Sequence, residues 1–277
     1  KGTSAMTLTL DPLDQYPEEI PTFARMHRQA GAPFLQAGVD ALLGQATHRF
    51  PELQLLVRSG DDLVGAALLL PLRWNGAAGN LPVCLEELLI RAVGCHELGK
   101  RTNTLVCLSV TAADTRGRNN LRSDILTALR RWAPLQGFRS LVAAVRPVLK
   151  PEHPLIPNEQ YAHWRRSDGK HFDPELRMHA DLGGSILGLM PRALAVAADL
   201  STWERWAGAV FTEGGEYIVK GTQKPVLIDR DSGCGFYEEA RIWVTHRPER
   251  PHRRDRRRVH PLPAETKASG AMAVAAA

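Results

Sequence analysis

The chain has 277 residues, of which 44% are hydrophobic and 23% are charged, as in a globular protein with a substantial core. These proportions exclude a collagen-like, coiled-coil or largely disordered body, and no apolar run approaches the roughly 20 residues that cross a bilayer. Much of the formal net charge of +5 comes from seven arginines between positions 247 and 258. The charge therefore says little about what the rest of the chain binds.

The first residues and the spacing of the cysteines indicate the cellular location of the protein. The chain starts without a secretory signal pattern, and Lys1–Ala5, which precede Met6, are expected to be a cloning remnant. The four cysteines have neither CxxC nor metal-finger spacing, and the histidines form no HExxH pattern. We therefore expect a cytoplasmic protein that has no metal site and does not bind membranes.

The first hundred residues are predicted to hold helices and a strand hairpin. Apolar residues at helical spacing indicate the helices, and a Ser-Gly-Asp-Asp turn joins two strand-like runs. The predicted elements are, in order, a strand at Thr7–Leu10, helices at Glu18–Ala30 and Phe34–Arg49, strands at Leu53–Arg58 and Leu63–Arg73, and a helix at Leu85–Leu98.

The segment from Thr104 to Pro147 is the most informative part of the chain. A β-branched and apolar strand at Thr104–Ala113 precedes a polar, glycine-containing loop at Asp114–Asn120. An amphipathic helix at Leu121–Trp132 and a second strand at Leu141–Val145 follow. A loop at a helix N-terminus offers unpaired N–H groups and the positive end of a dipole, which together suit a phosphate.

The later residues alternate between short helices and strands. Asp173 followed by Pro174 predicts a helix N-terminus, and Ser201 with Glu204 forms a possible capping box. The predicted elements are helices at Asn158–Arg165, at Asp173–Leu182 and from Ser201, and strands at Ser185–Met190, Val226–Ile228 and Phe236–Thr245. Residues 247–277 lack a packing pattern and are expected to be a basic, disordered tail.

The strand–loop–helix–strand order of Thr104–Pro147 resembles the acyl-CoA-binding core of the GNAT superfamily of N-acyltransferases. The resemblance continues in His171–Pro191, Phe211–Asp231 and Tyr237–His246, and it is greatest to an actinobacterial subgroup with a C-terminal extension. It implies an α/β (α+β) fold with a mixed, mostly antiparallel central sheet, flanking helices and splayed central strands. It also implies a single domain over residues 6–246 with an insertion at about 197–235.

In that superfamily, the loop that binds the pyrophosphate reads Gln or Arg, two residues, Gly, any residue, then Gly or Ala. Gly117 matches the first glycine, whereas Asn119 stands at the second and Asp114 at the leading position. Arginine side chains could supply the positive charge instead, and the alternative is an ordinary polar turn. The resemblance also implies that the pantetheine arm adds like a strand to the first core strand. The expected contacts of acyl-CoA or acetyl-CoA, the co-substrate, are Leu108, Ser109, Val110, Arg116, Gly117, Arg118, Asn119, Asn120 and Arg122.

Two residues are candidates for the catalytic acid. Many superfamily members have a tyrosine four residues before the glycine that matches Gly183, where it protonates the leaving thiolate; here that residue is His179. An imidazole with its ordinary pKa near 6.5 can donate a proton at neutral pH, and a purely structural histidine is the alternative. Tyr161 is a second candidate acid, with aromatic packing against Trp164 as its alternative. Glu86 and Glu87 are possible bases.

The resemblance implies an enzyme that moves an acyl group from an acyl-CoA-type thioester to an amine of a small metabolite, and specialised metabolism is the expected setting. A second hypothesis keeps the fold but takes the acyl group from an aminoacyl-tRNA or a carrier-protein thioester, because the loop is degenerate and the tail is basic. A third is a non-catalytic binding module, which Asp114 and Asn119 favour. The oligomeric state cannot be deduced from these patterns.

Overall fold

The structure is a computed structural model that describes residues 8–29, 31–112 and 120–249. Within those ranges the chain forms nine strands and seven α-helices. The strands are β1 (Leu8–Pro12), β2 (Leu55–Ser59), β3 (Asp62–Leu72), β4 (Thr104–Ala112), β5 (Ser140–Val145), β6 (Ser185–Asp199), β7 (Gly215–Tyr217), β8 (Val226–Asp229) and β9 (Cys234–His246). The helices are α1 (Ile20–Gln29), α2 (Gln36–Arg49), α3 (Leu85–Glu97), α4 (Leu121–Leu135), α5 (Asn158–Ala162), α6 (Pro174–Asp181) and α7 (Leu200–Ala207).

All nine strands belong to one mixed sheet. Its order is β1-β2-β3-β4-β5-β9-β8-β7, and β6 pairs with β9 beside that path. The β4–β5 pair is parallel, and every other strand pair in the described ranges is antiparallel. Antiparallel neighbours need only short turns, whereas the parallel pair needs a crossover, which α4 supplies. The predicted α/β fold class with a mostly antiparallel sheet is confirmed.

The two parallel strands separate partway along their length. Their pairing runs from Thr104↔Ser140 to Cys107↔Ala143 and stops there, although β4 continues to Ala112. On its other edge β4 pairs with β3. Cys107 and Ser109 pair with two consecutive residues of β3, so Leu108 is an extra residue and forms a bulge. An extra residue in one strand bends that strand away from its neighbour. The predicted splay of the central strands is therefore present.

Buried side chains form two clusters. The larger one fills both faces of the sheet and includes the inward face of α4, with residues such as Ile125 and Leu129. The smaller one surrounds Trp203 and includes residues of α7, β8 and β9, together with Phe34 from the turn before α2. Five of its eight buried members, from Trp203 to Ile228, lie within the insertion expected at about 197–235, whereas Phe34, Leu35 and Tyr237 lie outside it. The domain boundaries themselves stay predictions.

Three local features differ from the expectations. Strand β6 extends to Asp199, nine residues beyond the predicted end at Met190, because its pairing with β9 resumes at Leu194 after an irregularity and continues to Asp199. Helix α7 is capped by Asp199, whose carboxylate accepts a hydrogen bond from the Thr202 N–H at 2.7 Å, so the Ser201 capping box is wrong. Finally, Glu249 pairs with Arg130 and Arg131, which places the first residues of the predicted tail against α4.

Asp173 behaves as its position predicts. Its side chain accepts hydrogen bonds from the N–H groups of Glu175 and Leu176 at the start of α6, and Pro174 occupies the first helical position.

Among the helices in the ranges given above, none is long and apolar enough to span a bilayer.

Candidate active site

A cleft of about 750 Å³ opens where β4 and β5 diverge. Its walls come from both layers of helices, because the gap between the strands passes through the sheet. On one side it is lined by residues of α1 and α2, and on the other by residues of α4 and α6. Between the two layers, the cleft is bordered by β4 beyond Cys107 and by the end of β5. A groove between splayed strands offers backbone donors and acceptors that no neighbouring strand uses.

The predicted donor-binding residues of β4 lie along this groove. Leu108, Ser109 and Val110 all line the cleft, and none of them pairs with β5. The Leu108 carbonyl oxygen accepts a hydrogen bond from Nη1 of Arg241 at 2.9 Å. The Ser109 hydroxyl lies 3.2 Å from Nδ1 of His27. The open edge of β4 is thus bordered by two side chains from distant parts of the chain.

The start of α4 lies at one end of the cleft. Asn120 precedes the first helical residue, and its side chain makes no capping hydrogen bond to the helix. Arg122, in the first turn, lines the cleft and forms an ion pair with Glu175 of α6. The remaining predicted phosphate-binding residues, Arg116, Gly117, Arg118 and Asn119, lie outside the described residues.

His179 lies on α6 and lines the cleft, as the resemblance implied. Its side chain is buried, and its Nδ1 is 2.8 Å from Nε2 of His246. Burial, with help from His246 and Arg122, lowers the pKa of His179 from 6.5 to about 3. The ordinary pKa assumed above is therefore wrong for this site, because a charged imidazole would lose its hydration there. His179 is neutral at physiological pH, and its catalytic role stays a prediction.

Tyr161 lies elsewhere. Its side chain is fully buried, and its hydroxyl donates a hydrogen bond to Asp173, the residue that caps α6, at 3.0 Å. Burial and the Asp173 carboxylate raise the pKa of the Tyr161 hydroxyl. Tyr161 packs against Trp164 and is not among the residues that line the cleft. The geometry therefore supports the packing alternative, and the acid role of Tyr161 is left as a prediction without structural support.

The glutamates considered as bases are also remote from the cleft. Glu87 accepts a hydrogen bond from the Val83 N–H at 2.8 Å and forms an ion pair with Arg91 one turn further along α3. Neither Glu86 nor Glu87 lines the cleft. The pattern of contacts is that of a helix N-terminus with an acidic first turn.

Sequence reasoning missed three residues of the site. His27 of α1 is buried beside Ser109, and its Nε2 is buried without a hydrogen-bond partner; burial lowers its pKa to about 3. His246 is the last residue of β9 and lies within hydrogen-bond distance of His179. Burial lowers the pKa of His246 to about 4. Arg241 reaches from β9 to Leu108. The only usable signal was the charge of Arg241 directly before the apolar run Ile242–Val244.

The cleft is positively charged. Both histidines that line it are neutral, because burial lowers their pKa values to about 3. Glu175 pairs with one of the lining arginines, and Glu239, just behind the wall, pairs with another. Four positive and two negative charges leave a net charge of +2 among the described residues, which suits an anionic ligand. The four arginines that line the cleft are Arg25, Arg122, Arg146 and Arg241.

A metal centre has no support in these ranges. The residues that the structure describes contain no group of three or more His, Cys, Asp or Glu side chains that could hold a metal ion. The four cysteines, Cys84, Cys95, Cys107 and Cys234, are unpaired.

Comparison with known proteins gives one relative in sequence and several in fold. No family model matches the chain. The arginine N-acetyltransferase avaD of Aspergillus versicolor is 33% identical over 162 residues, which are 52% of this chain and 56% of that protein. The chain thus spans little more than half the length of this curated relative.

Two solved structures share the fold. The loading GNATL domain of CurA from Lyngbya majuscula has a TM-score of 0.56 at 15% identity and covers 88% of this chain and 98% of its own. The GphF GNAT-like decarboxylase in complex with isobutyryl-CoA has a TM-score of 0.52 at 16% identity and covers 88% of this chain and 100% of its own. At these identities the likeness shows the fold alone. The chain therefore has the GNAT fold of these two structures, including the splayed parallel pair, and over about half its length its sequence is related to an N-acetyltransferase.

Proposed function

We propose that this protein is an acyltransferase, which moves an acyl group from an acyl-CoA-type thioester to the amine of a small metabolite. The observation that carries the proposal is the cleft between β4 and β5, whose β4 edge is open beyond Cys107 and adjoins the start of α4. The relative named as an arginine N-acetyltransferase supports the same chemistry, and the fold shared with a GNAT-like decarboxylase in complex with isobutyryl-CoA supports an acyl-CoA site.

The donor would lie along the open edge of β4. An extended pantetheine arm carries amide groups, so it can pair with the backbone at Leu108–Val110 as an added strand would. The pyrophosphate would then reach the N-terminal end of α4, where backbone N–H groups and the helix dipole attract anions. Arg122 adds a side-chain cation at that end of the cleft. Positive charge and an open strand edge, which the donor requires, therefore occur in the same cleft.

The reaction itself needs few groups from the protein. The nitrogen of a neutral amine attacks the thioester carbonyl carbon, a C–N bond forms, and the C–S bond breaks with its electron pair leaving on sulfur. The amine nitrogen loses one proton and the thiolate gains one, so the charges balance. A backbone N–H at the β4 bulge could stabilise the oxyanion of the tetrahedral intermediate. Most of the rate enhancement would come from holding the two substrates in the right geometry.

His179 remains our candidate beside the leaving sulfur, as a neutral hydrogen-bond donor that keeps its proton, while the thiolate takes its proton from the ammonium nitrogen of the tetrahedral intermediate. This role requires the tautomer in which Nε2–H of His246 donates to Nδ1 of His179, which leaves the N–H of His179 on Nε2, free to donate to the sulfur. His246 would then be a positioning residue that selects this tautomer. The pH dependence of turnover should not contain a step near 6.5 from His179, because its pKa is lowered to about 3.

The acceptor is proposed as a small amine, and arginine is the first to test because of the name of the curated relative. The alternative donors, an aminoacyl-tRNA or a carrier-protein thioester, rested partly on the basic tail, which from residue 250 onwards lies outside the described residues. A cytoplasmic location and a role in specialised metabolism stay predictions.

The proposal is tested by donor binding and thiol release measured separately. We expect acetyl-CoA to raise the melting temperature of the wild type, because binding to the folded state alone stabilises it. We expect Arg122→Gln to weaken acetyl-CoA binding by about tenfold, the effect of losing one charge-assisted contact. Arg139→Gln is the matched control, since this exposed arginine lies beyond the opposite end of α4. No stabilisation by acetyl-CoA or by longer acyl-CoAs, with no thiol release in the presence of any amine, would favour a non-catalytic binding module.

A further inference from the structure

Arg241 is the one lining arginine that is partly buried in the cleft without an acidic partner in the described ranges. Its Nη1 donates to the Leu108 carbonyl oxygen at 2.9 Å, at the bulge where β4 leaves β5. Its Nε is buried and has no hydrogen-bond partner. A guanidinium carries five N–H donors, and a buried donor without a partner is costly. Arg241 is therefore a partly buried cation whose buried Nε is not satisfied.

The neighbouring carboxylates are committed to other arginines. Glu239, two residues before Arg241 on β9, accepts hydrogen bonds from Nε of Arg146 at 3.0 and 2.9 Å and from the hydroxyl of Tyr237. Glu175 pairs with Arg122. In the part of the chain that the structure describes, no carboxylate forms an ion pair with Arg241. A buried charge is normally paired, so a missing partner points to an anion that is bound during function.

Arg241 also faces a particular side of the sheet. Alternate residues of a strand point to opposite faces, so Arg241 shares a face with Trp243, whose Nε1 donates to the Pro82 carbonyl oxygen ahead of α3. His246 points to the other face, where it contacts His179 of α6. The guanidinium therefore lies across the sheet from His179, and α4 and α6 supply the wall that the donor's pyrophosphate would occupy.

We propose that Arg241 binds the carboxylate of the amine acceptor, so that the acceptor is an amino acid or another amine that carries a carboxylate. This inference rests on the proposed acyltransferase function. The donor would enter from the side of α4 and α6. The acceptor would approach from the side of α1 and α2, which is the face of Arg241 because α3, next to Trp243, packs against α2. The guanidinium can bind a carboxylate through two parallel N–H···O bonds, which would orient the amine toward the thioester.

The first experiment uses the wild type, and so does not depend on how any variant folds. Turnover with acetyl-CoA and binding in the presence of CoA are measured for pairs that differ by the carboxylate: arginine and agmatine, tyrosine and tyramine, tryptophan and tryptamine. We expect the preferred acceptor to be an amino acid, favoured over its decarboxylated partner by at least about tenfold, since a charge-assisted bidentate contact is lost. Equal use of both members, or a preference for the amines, would overturn the proposal, as would failure of every amino acid to bind.

The second experiment uses variants at position 241. Arg241→Gln should abolish the preference within each pair, mainly through KM, whereas Arg241→Lys should retain part of it because the positive charge remains. Arg205→Gln is the charge-matched control, since this exposed arginine lies on α7 outside the cleft. If Arg241→Gln keeps the wild-type preference, Arg241 only supports the β4 bulge and the proposal is wrong.

A third measurement separates this inference from the proposed function. Acetyl-CoA and malonyl-CoA binding are compared in wild type and Arg241→Gln without any acceptor. We expect acetyl-CoA binding to change less than about twofold in the variant, because the proposed contact is to the acceptor. Absence of acetyl-CoA binding in the wild type would count against the acyltransferase function instead. A wild-type preference for malonyl-CoA that Arg241→Gln removes would assign the guanidinium to a carboxylate on the acyl group and overturn the acceptor assignment.

Discussion

Removing the imidazole of His27 should make the folded protein less sensitive to mild acid. His27 is 5% exposed, its Nε2 has no hydrogen-bond partner, and burial lowers its pKa from 6.5 to about 3. The folded state therefore holds His27 neutral in a range where the unfolded chain protonates it. Because the folded-state pKa is lowered, the unfolded state binds more protons between these two values, and stability must fall as the pH falls.

The size of the effect follows from the two pKa values. The contribution of neutral His27 is fully present above the unfolded-state pKa of 6.5 and is lost progressively as the pH falls from there toward about 3. At about pH 5 His27 is still unprotonated in the folded state. In the unfolded state it is protonated, and pH 5 lies about 1.5 units below its pKa, which stabilises the unfolded state by about 1.4 kcal/mol per unit. The loss of stability from this one residue between about pH 7.5 and pH 5 is therefore about 2 kcal/mol.

Urea unfolding at the two pH values measures this directly. His27→Gln and His27→Phe remove the titrating group but differ in size and polarity, so their absolute stabilities will differ from each other. Both variants should nevertheless lose about 2 kcal/mol less than the wild type between about pH 7.5 and pH 5. His179 and His246 contribute equally in all three proteins, so they cancel in the comparison. If wild type and variants lose the same free energy, the imidazole is not held neutral by burial and the reasoning fails.

Two further substitutions test the packing. Tyr161→Phe removes the hydroxyl that bonds Asp173 and should cost about 1 kcal/mol in urea unfolding while leaving turnover within about twofold; a large fall in kcat would instead make Tyr161 part of the chemistry. Trp203→Ala should cost about 3–5 kcal/mol, because Trp203 is fully buried at the centre of the smaller cluster and its Nε1 donates to Gly235 at 2.8 Å. A loss below about 1 kcal/mol would show that this cluster contributes little to folding.

The fold was predictable because its signals are local. The β-branched strand at Thr104, the amphipathic helix from Leu121 and the apolar strand at Leu141 each satisfy a periodicity that neighbouring residues define. The length of β6 was not predictable in this way. Its second half, after Pro191, is rich in alanine and has weak strand propensity, and it is held by pairing with β9.

The site was predictable only where one stretch of chain carries it. The resemblance singled out Leu108–Val110, Arg122 and His179, and all of them line the cleft, although their roles stay predictions. The contacts that complete the site join residues far apart in sequence: 82 residues for His27 and Ser109, 67 for His179 and His246, and 133 for Arg241 and Leu108. Such contacts depend on strand order across the sheet, which the pattern of a single chain does not specify. The lowered pKa of His179 was missed for the same reason, since burial is a tertiary property.

The position of β9 in the chain has a consequence for biosynthesis. This strand follows all the other strands, yet it pairs with β5, β6 and β8 and supplies both Arg241 and His246. While a ribosome is still making residues before Cys234, the edges of β5 and β6 have no partner, and exposed edges of this kind invite association between nascent chains. A protein released before β9 is synthesised would lack the far half of its sheet and one wall of its cleft. Such fragments should be insoluble rather than partly active.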